Sequence, residues 1–190
     1  LNNDPEYKVM FNPIFRSDAN EANIAEAIAA YELTLQTSNT PFDAFMSGDE
    51  SAISESAKRG RELFLSDRAK CFDCHFGPDF TGDEFKNIGL YDAKEWNDVG
   101  RFKISNDSGD IGKFKVPGLR NVGVTGPYMH NGKFKTLEEV IEYYSNPYLW
   151  VKNPVNMDAS LVNPINFTEQ EKADLLSFLK SLTDKQFLNR

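Results

Sequence analysis

The chain has 190 residues, 40% hydrophobic and 26% charged, with a net charge of −8 from 21 basic and 29 acidic side chains. This is the balance of a globular protein able to bury a core within a single domain. The acidic surplus excludes nucleic acid as an expected partner, because phosphate binding wants a basic face, and apolar stretches of only a few residues exclude a membrane span. A basic redox partner or a small neutral substrate suits the charge better.

The chain opens Leu1-Asn2-Asn3-Asp4-Pro5, with no initiator Met and no basic-then-apolar leader. The expectation is a processed leader or a piece of a longer polypeptide. Residues 1–20 read as a linker-like N-terminal segment. Residues 20–36 read as a helix capped by Asn20, with Ile24, Ile28, Tyr31 and Leu35 on one face. A second helix is expected from Ser54 to Phe64, with Ala57, Gly60, Leu63 and Phe64 on its apolar side. The stretch from Phe76 to Lys135 is rich in Gly, Asp, Asn and Pro and lacks helical periodicity, so it reads as a long ordered excursion with short strands at most. Thr136-Leu137-Glu138-Glu139 is a capping box that starts a helix, and Asn146-Pro147 ends it. Thr168-Glu169-Gln170-Glu171 starts another, carrying Ala173, Leu175, Leu176, Leu179 and Leu182. The expected fold is all-α: one domain over 1–190, with a long irregular excursion between the second and third of these helices.

The only two cysteines lie in Cys71-Phe72-Asp73-Cys74-His75. Each thiol of a C-x-x-C-H can add to one haem vinyl group, and the adjacent imidazole then serves as the proximal iron ligand. Competing readings fit less well. A thioredoxin-like dithiol wants a βαβ pattern. Zinc would have to draw on Cys71, Cys74, His75 and His130, and consecutive residues can hardly both face one tetrahedral ion. A chance cysteine pair leaves the helix–motif–loop–helix order unexplained. One covalent haem c is therefore expected, and this kind of haem is attached outside the cytoplasm, so the expected location is the periplasm or another extracytoplasmic site.

Downstream, Phe114-Lys115-Val116-Pro117-Gly118-Leu119-Arg120-Asn121-Val122 is followed by Thr125-Gly126-Pro127-Tyr128-Met129-His130-Asn131-Gly132 and then Leu137-Glu138-Glu139-Val140. With Asp4-Pro5-Glu6-Tyr7, Thr40-Pro41-Phe42-Asp43 and Lys58-Arg59-Gly60, this resembles the C-terminal haem domain of the bacterial di-haem cytochrome c peroxidases and MauG-like proteins. Such proteins carry two C-x-x-C-H motifs; this chain carries one. The resemblance implies a cytochrome-c-like haem domain, its excursion lying between the haem-attachment motif and the distal-ligand helix, in a peroxidase-class oxidoreductase in which this domain relays electrons to or from a peroxide-reacting haem in a second haem domain or chain. The catalytic acid of the peroxide pocket belongs to that other domain, so no catalytic residue is assigned here. A stand-alone mono-haem electron carrier and a haem-based sensor with an exchangeable ligand are the alternatives.

The resemblance also places the sixth iron ligand at Tyr144, which shares a face with Leu137, Val140 and Ile141; MauG-like proteins have a tyrosine there. Met129, His130 and an open iron site remain alternatives, with packing the commoner role for Met129 and a haem propionate or the loop backbone the commoner partner for His130. Tyr143 is expected to face outward or pack at an edge. Thr125 and Pro127 match positions whose carbonyls help bind calcium, a hard cation that favours oxygen. Arg120, and less so Lys115, are candidates for pairing with haem propionates. Trp96 and Trp150 are candidates for electron relay or plain packing. Phe76, Phe80 and Phe85 are expected to wall the haem from water, and Asp107-Ser108-Gly109-Asp110 reads as turn chemistry.

Overall fold

Short polar side chains satisfy the free N–H groups at the start of nearly every α-helix in this protein. The structure is a computed structural model and describes residues 1–188. Its helices are α1 (Pro5–Phe15), α2 (Glu21–Glu32), α3 (Pro41–Met46), α4 (Glu55–Phe64), α5 (Phe102–Ser105), α6 (Leu137–Ser145) and α7 (Glu169–Ser181). Reciprocal capping boxes open α2, α3, α6 and α7 at Asn20, Thr40, Thr136 and Thr168. Two short antiparallel strands, β1 (Phe85–Lys86) and β2 (Phe114–Lys115), pair Phe85 with Lys115 and Lys86 with Phe114. They are the regular pairing inside the long excursion anticipated between Phe76 and Lys135.

Contacts divide the chain into two units, Leu1–Thr37 and Ser38–Arg190. The first holds α1 and α2. Helix α1 was expected to be linker-like; Asp4 caps it by accepting from the Glu6 amide, and Pro5 occupies its first turn. Pro13 inside the helix hides this signal, since it removes a backbone donor. Asn2, before α1, is tied to the turn between α1 and α2 by two hydrogen bonds exchanged with the Ala19 backbone at 2.8 and 2.9 Å. Helix α2 stops at Glu32, short of the expected 36, and Ile28 and Tyr31 on its apolar face are exposed.

The second unit is organised by α4 crossing α7. At the crossing, a Cβ on Gly60 would stand 1.9 Å from the Asp174 carbonyl oxygen and 2.9 Å from Phe178 Cβ. Only a residue without a side chain lets the two backbones approach this closely. Around the crossing, Phe42, Phe64, Phe80 and Phe178 pack edge to face, with Phe64 and Phe178 centroids 5.2 Å apart. Leu137 and Ile141 of α6 join the same core as Leu175, Leu179 and Leu182. The buried Asp174 carboxylate accepts from Arg59 Nε and Nη2 at 2.9 and 2.8 Å, Ser56 at 2.6 Å and Gln170 at 3.0 Å.

The excursion is held by buried polar groups rather than by helices. Asn87 donates to the carbonyls of Ile111 and Val155 at 2.9 Å each and accepts from the Gly89 amide at 2.8 Å. Gly112, at φ +75°, lies against it, where a Cβ would be 2.6 Å from Asn87 Nδ2. The Asp107–Asp110 run is turn chemistry: Asp107 caps the short turn over Ser108–Asp110, and Asp110 pairs with Arg101 and Lys113.

Gly60→Ala should destabilise the second unit by at least about 3 kcal/mol, the upper range for an overpacked core, read as a lower denaturant midpoint. The Arg59 guanidinium holds the Asp174 carboxyl at about 2, against an ordinary 3.8. A depressed carboxylate contributes its full stability above the ordinary value and loses it as pH falls through the folded one. Asp174→Asn should therefore flatten the loss of stability between about pH 4 and pH 2 in acid denaturation.

Candidate haem site

Helix α4 delivers the chain into the cysteine motif. Lys70 adopts a left-handed conformation at φ 55°, and the next five residues close one turn, the His75 amide donating to the Cys71 carbonyl at 2.9 Å. Burial pushes the Cys71 thiol up to about 12, and burial raises Cys74 as well. Thiols held protonated in this way are poor redox nucleophiles, which counts against a thioredoxin-like dithiol. Among the described residues no set of three or more His, Cys, Asp or Glu side chains converges on a metal-sized site, as zinc would need.

His75 is held at one nitrogen. Its Nδ1 lies 3.0 Å from the Phe80 carbonyl and 3.1 Å from the Pro117 carbonyl. Two acceptors there require a proton on Nδ1, which leaves the Nε2 lone pair as the metal donor. Burial lowers the basicity of the ring against the opposing effect of the two carbonyls, so the imidazole stays neutral and able to ligate. The β1–β2 ladder fixes this arrangement: Val116 donates to the Glu84 carbonyl at 3.0 Å, Thr81 Oγ1 to the Val116 carbonyl at 2.7 Å, and Leu119 to the Asp79 carbonyl at 3.3 Å. The backbone of Pro117 and Phe80 was not singled out from sequence, because a carbonyl's direction has no residue-type signature. The donor set fits covalent haem: two thiols in one turn and a neighbouring imidazole with one nitrogen already engaged.

Helix α6 is wedged between two cores. Leu137 and Ile141 enter the α4–α7 core, while Val140, Tyr143 and Tyr144 pack in a second one with Leu90, Phe134 and Val151. Tyr143, expected at an edge, is 0% exposed and donates to the Ile88 carbonyl at 2.6 Å. The periodicity argument assumed one buried face, and this helix has two. Tyr144 makes no hydrogen bond through its hydroxyl among the described residues. Burial raises its phenol far above the ordinary range, and the nearby Cys71 and Cys74 sulfurs add to the rise. That coupling puts Tyr144 within electrostatic range of Cys71 and Cys74.

The remaining candidates separate. Met129 sits at the edge of the second core in a left-handed conformation, φ 68°. His130 stacks on Phe114 at 3.7 Å and 10°, and desolvation on that face lowers its basicity against the opposing pull of Asp98. Thr125 and Pro127 lie in an exposed turn. Arg120, expected at a propionate, instead grips Asp43 of α3 with two bonds of 3.0 and 2.9 Å and donates from Nε to the Pro78 carbonyl at 2.9 Å. A carboxylate already within reach satisfies its fork. Burial alone would raise the Asp43 carboxyl, but Arg120 and Thr40 hold it below the ordinary range. Lys115 likewise turns to the carbonyls of Gly82 and Val116. Of the three phenylalanines expected to exclude water, Phe80 is buried, whereas Phe76 and Phe85 are exposed, Phe85 beneath the Arg101 guanidinium at 4.1 Å.

Arg120 thus ties α3 to the loop that follows the haem motif. Arg120→Ala should destabilise the second unit by about 2 kcal/mol or more by leaving the part-buried Asp43 carboxylate unpaired. Arg120→Lys should recover only part of this, since an ammonium cannot reproduce the two-pronged contact. Thermal unfolding of the three proteins checks both expectations.

Comparison with known proteins agrees with this geometry. The family model described as cytochrome c matches residues 57–183, and the one described as di-haem cytochrome c peroxidase matches residues 1–51. The chain is 36% identical over 187 residues to the methylamine utilization protein MauG of Methylorubrum extorquens, covering 94% of this chain and 49% of that protein. It is 35% identical over 210 residues to the cytochrome-c peroxidase IdrP1 of Denitromonas iodatirespirans, covering 94% and 54%. A crystal structure of a MauG-like protein associated with microbial copper homeostasis superposes with a TM-score of 0.77 at 33% identity, over 96% of this chain and 60% of that one. The chain spans about half the length of the curated relatives it matches. No helix among the described residues is long and apolar enough to cross a membrane. With a cytochrome c domain over most of its length and peroxidase and MauG relatives along nearly all of it, the chain belongs to the di-haem cytochrome c peroxidase/MauG family and to the haem c proteins.

Proposed function

We propose that this chain is the electron-relay haem domain of a peroxidase-class oxidoreductase. It would hold one haem c through Cys71, Cys74 and His75, with Tyr144 as a further iron ligand, and would exchange electrons with a peroxide-reacting haem in another domain or chain. The observation that carries the reading is the pairing of a His75 whose Nδ1 is fixed by two carbonyls with a half-buried Tyr144 whose hydroxyl has no hydrogen-bond partner among the described residues and which lies near both cysteine sulfurs. When bound, the group would supply a one-electron iron couple.

The chain's own residues set how that couple behaves. His75 donates from Nε2 and keeps its Nδ1 proton on the backbone. Tyr144 would ligate as a phenolate; a metal cation reverses the effect of burial on such a group. A phenolate favours ferric iron and a low potential. The names of the relatives support peroxide as the oxidant, and the chemistry of haem attachment supports an extracytoplasmic location. The net charge of −8 favours an external redox partner with a basic face.

Native mass and haem count of the purified assembly test the reading. Two or more haems in the assembly support it; a single haem on a lone 21.5 kDa chain leaves a mono-haem electron carrier. Replacing Cys71 and Cys74 together by Ala should abolish covalent haem on a denaturing gel. Tyr144→Met should raise the reduction potential by on the order of 0.1 V or more, within the ~0.8 V range that axial ligands cover, measured by spectroelectrochemistry; an unchanged potential and spectrum would remove Tyr144 from the iron.

A further inference from the structure

We infer that Trp150 is the surface redox contact of the haem site, joined to it by an unbroken line of aromatic rings. The proposal rests on the haem-site reading above. Tyr144, within electrostatic range of Cys71 and Cys74, meets Tyr143 edge to face at 5.7 Å between centroids. Tyr143 packs on Phe134 at 5.3 Å, and Phe134 meets Trp150 edge to face at 4.9 Å. The line begins in a buried core and ends at an indole 37% exposed to solvent.

The chemistry of each ring assigns its part. Phe134 is 1% exposed and has no ionisable proton, so it serves as a bridge between its neighbours. Tyr143 is 0% exposed and donates its hydroxyl to the Ile88 carbonyl at 2.6 Å, so its ring lies between its neighbours without reaching water. Tyr143 is therefore also a bridge. Trp150 faces water, which can accept the indole proton. The other tryptophan is unsuited to this role: Lys133 Nζ stands 4.6 Å over the Trp96 ring, and a cation there opposes loss of an electron.

The step balances as a one-electron exchange. A one-electron oxidant at the surface takes an electron from the Trp150 indole, whose Nε1 proton passes to water. The indole then regains an electron through Phe134, Tyr143 and Tyr144 from the reduced site, and a proton from water. The net change is one electron moved outward with no net proton. Inward flow runs in the reverse order: oxidising equivalents delivered to the site by peroxide would take an electron from the Trp150 indole, whose Nε1 proton passes to water, and an external one-electron donor would then refill the indole as water returns the proton. Two such passages match the two electrons and two protons that convert one peroxide to two waters.

Flash-photolysis of the ferrous holoprotein with a ruthenium tris-bipyridyl complex and a sacrificial quencher tests this. The photogenerated oxidant should produce a transient indole radical absorbance that decays as the haem Soret band shifts to its ferric form. Trp150→Phe, at an exposed position that keeps the ring contact, should remove the transient and slow haem oxidation several-fold. Trp150→Tyr, still oxidisable, should restore part of the rate, which a purely structural role would not do. Trp96→Phe should match the parent protein. Equal haem oxidation rates in the parent and Trp150→Phe would overturn the relay while the Soret spectrum leaves the haem reading standing. A purified protein without a c-type Soret band would overturn both.

Discussion

The second unit depends on the closeness with which α4 and α7 cross at Gly60. The absence of a side chain there brings the Asp174 carbonyl and Phe178 against the backbone of the helix that leads into the cysteine motif. That approach stacks Phe64 on Phe178 and closes the ring cluster with Phe42 and Phe80. Phe80 is also the residue whose carbonyl holds His75 Nδ1. The geometry of the His75 imidazole is therefore inherited from a helix crossing several residues away, through one phenylalanine whose ring packs in the core and whose backbone carbonyl faces His75.

Polar groups do the corresponding work where helices are absent. The excursion after the motif has little regular structure, yet its buried Asn87 satisfies all of its bonds, and the two-residue ladder of β1 and β2 presents the Pro117 carbonyl to His75. Arg120 anchors the same region to α3 from the other side through Asp43 and the Pro78 carbonyl. An unsatisfied buried polar group would be costly in such a segment, and satisfied ones confer a single conformation in place of a helical core.

The helices of the second unit around the motif were legible because their starts are written in side-chain chemistry: Ser54, Thr136 and Thr168 cap the helices they were expected to cap. The excursion was legible as irregular for the same reason. What escaped was whatever depends on three-dimensional partners. Helix α1 was concealed by Pro13, α3 by its brevity despite the Thr40 and Asp43 capping pair, and Tyr143 by the assumption of a single buried face. Arg120 was expected to pair with a haem propionate; the partner it has in the fold, Asp43, lies 77 positions earlier in the chain, and no local pattern connects the two. The cysteine motif itself needed no partner to be read, since its spacing is its signal.

The position of α6 between two cores has a consequence for how the molecule comes apart. Leu137 and Ile141 share their packing with α7, while Tyr143 and Tyr144 on the same nine residues pack into the second core. Releasing Tyr144 therefore means withdrawing a helix that also seals the core beneath the cysteine motif. Local opening and global unfolding converge on one cooperative event, so the surroundings of Tyr144 have no independent hinge: they stay formed as long as the domain does, and are lost with it.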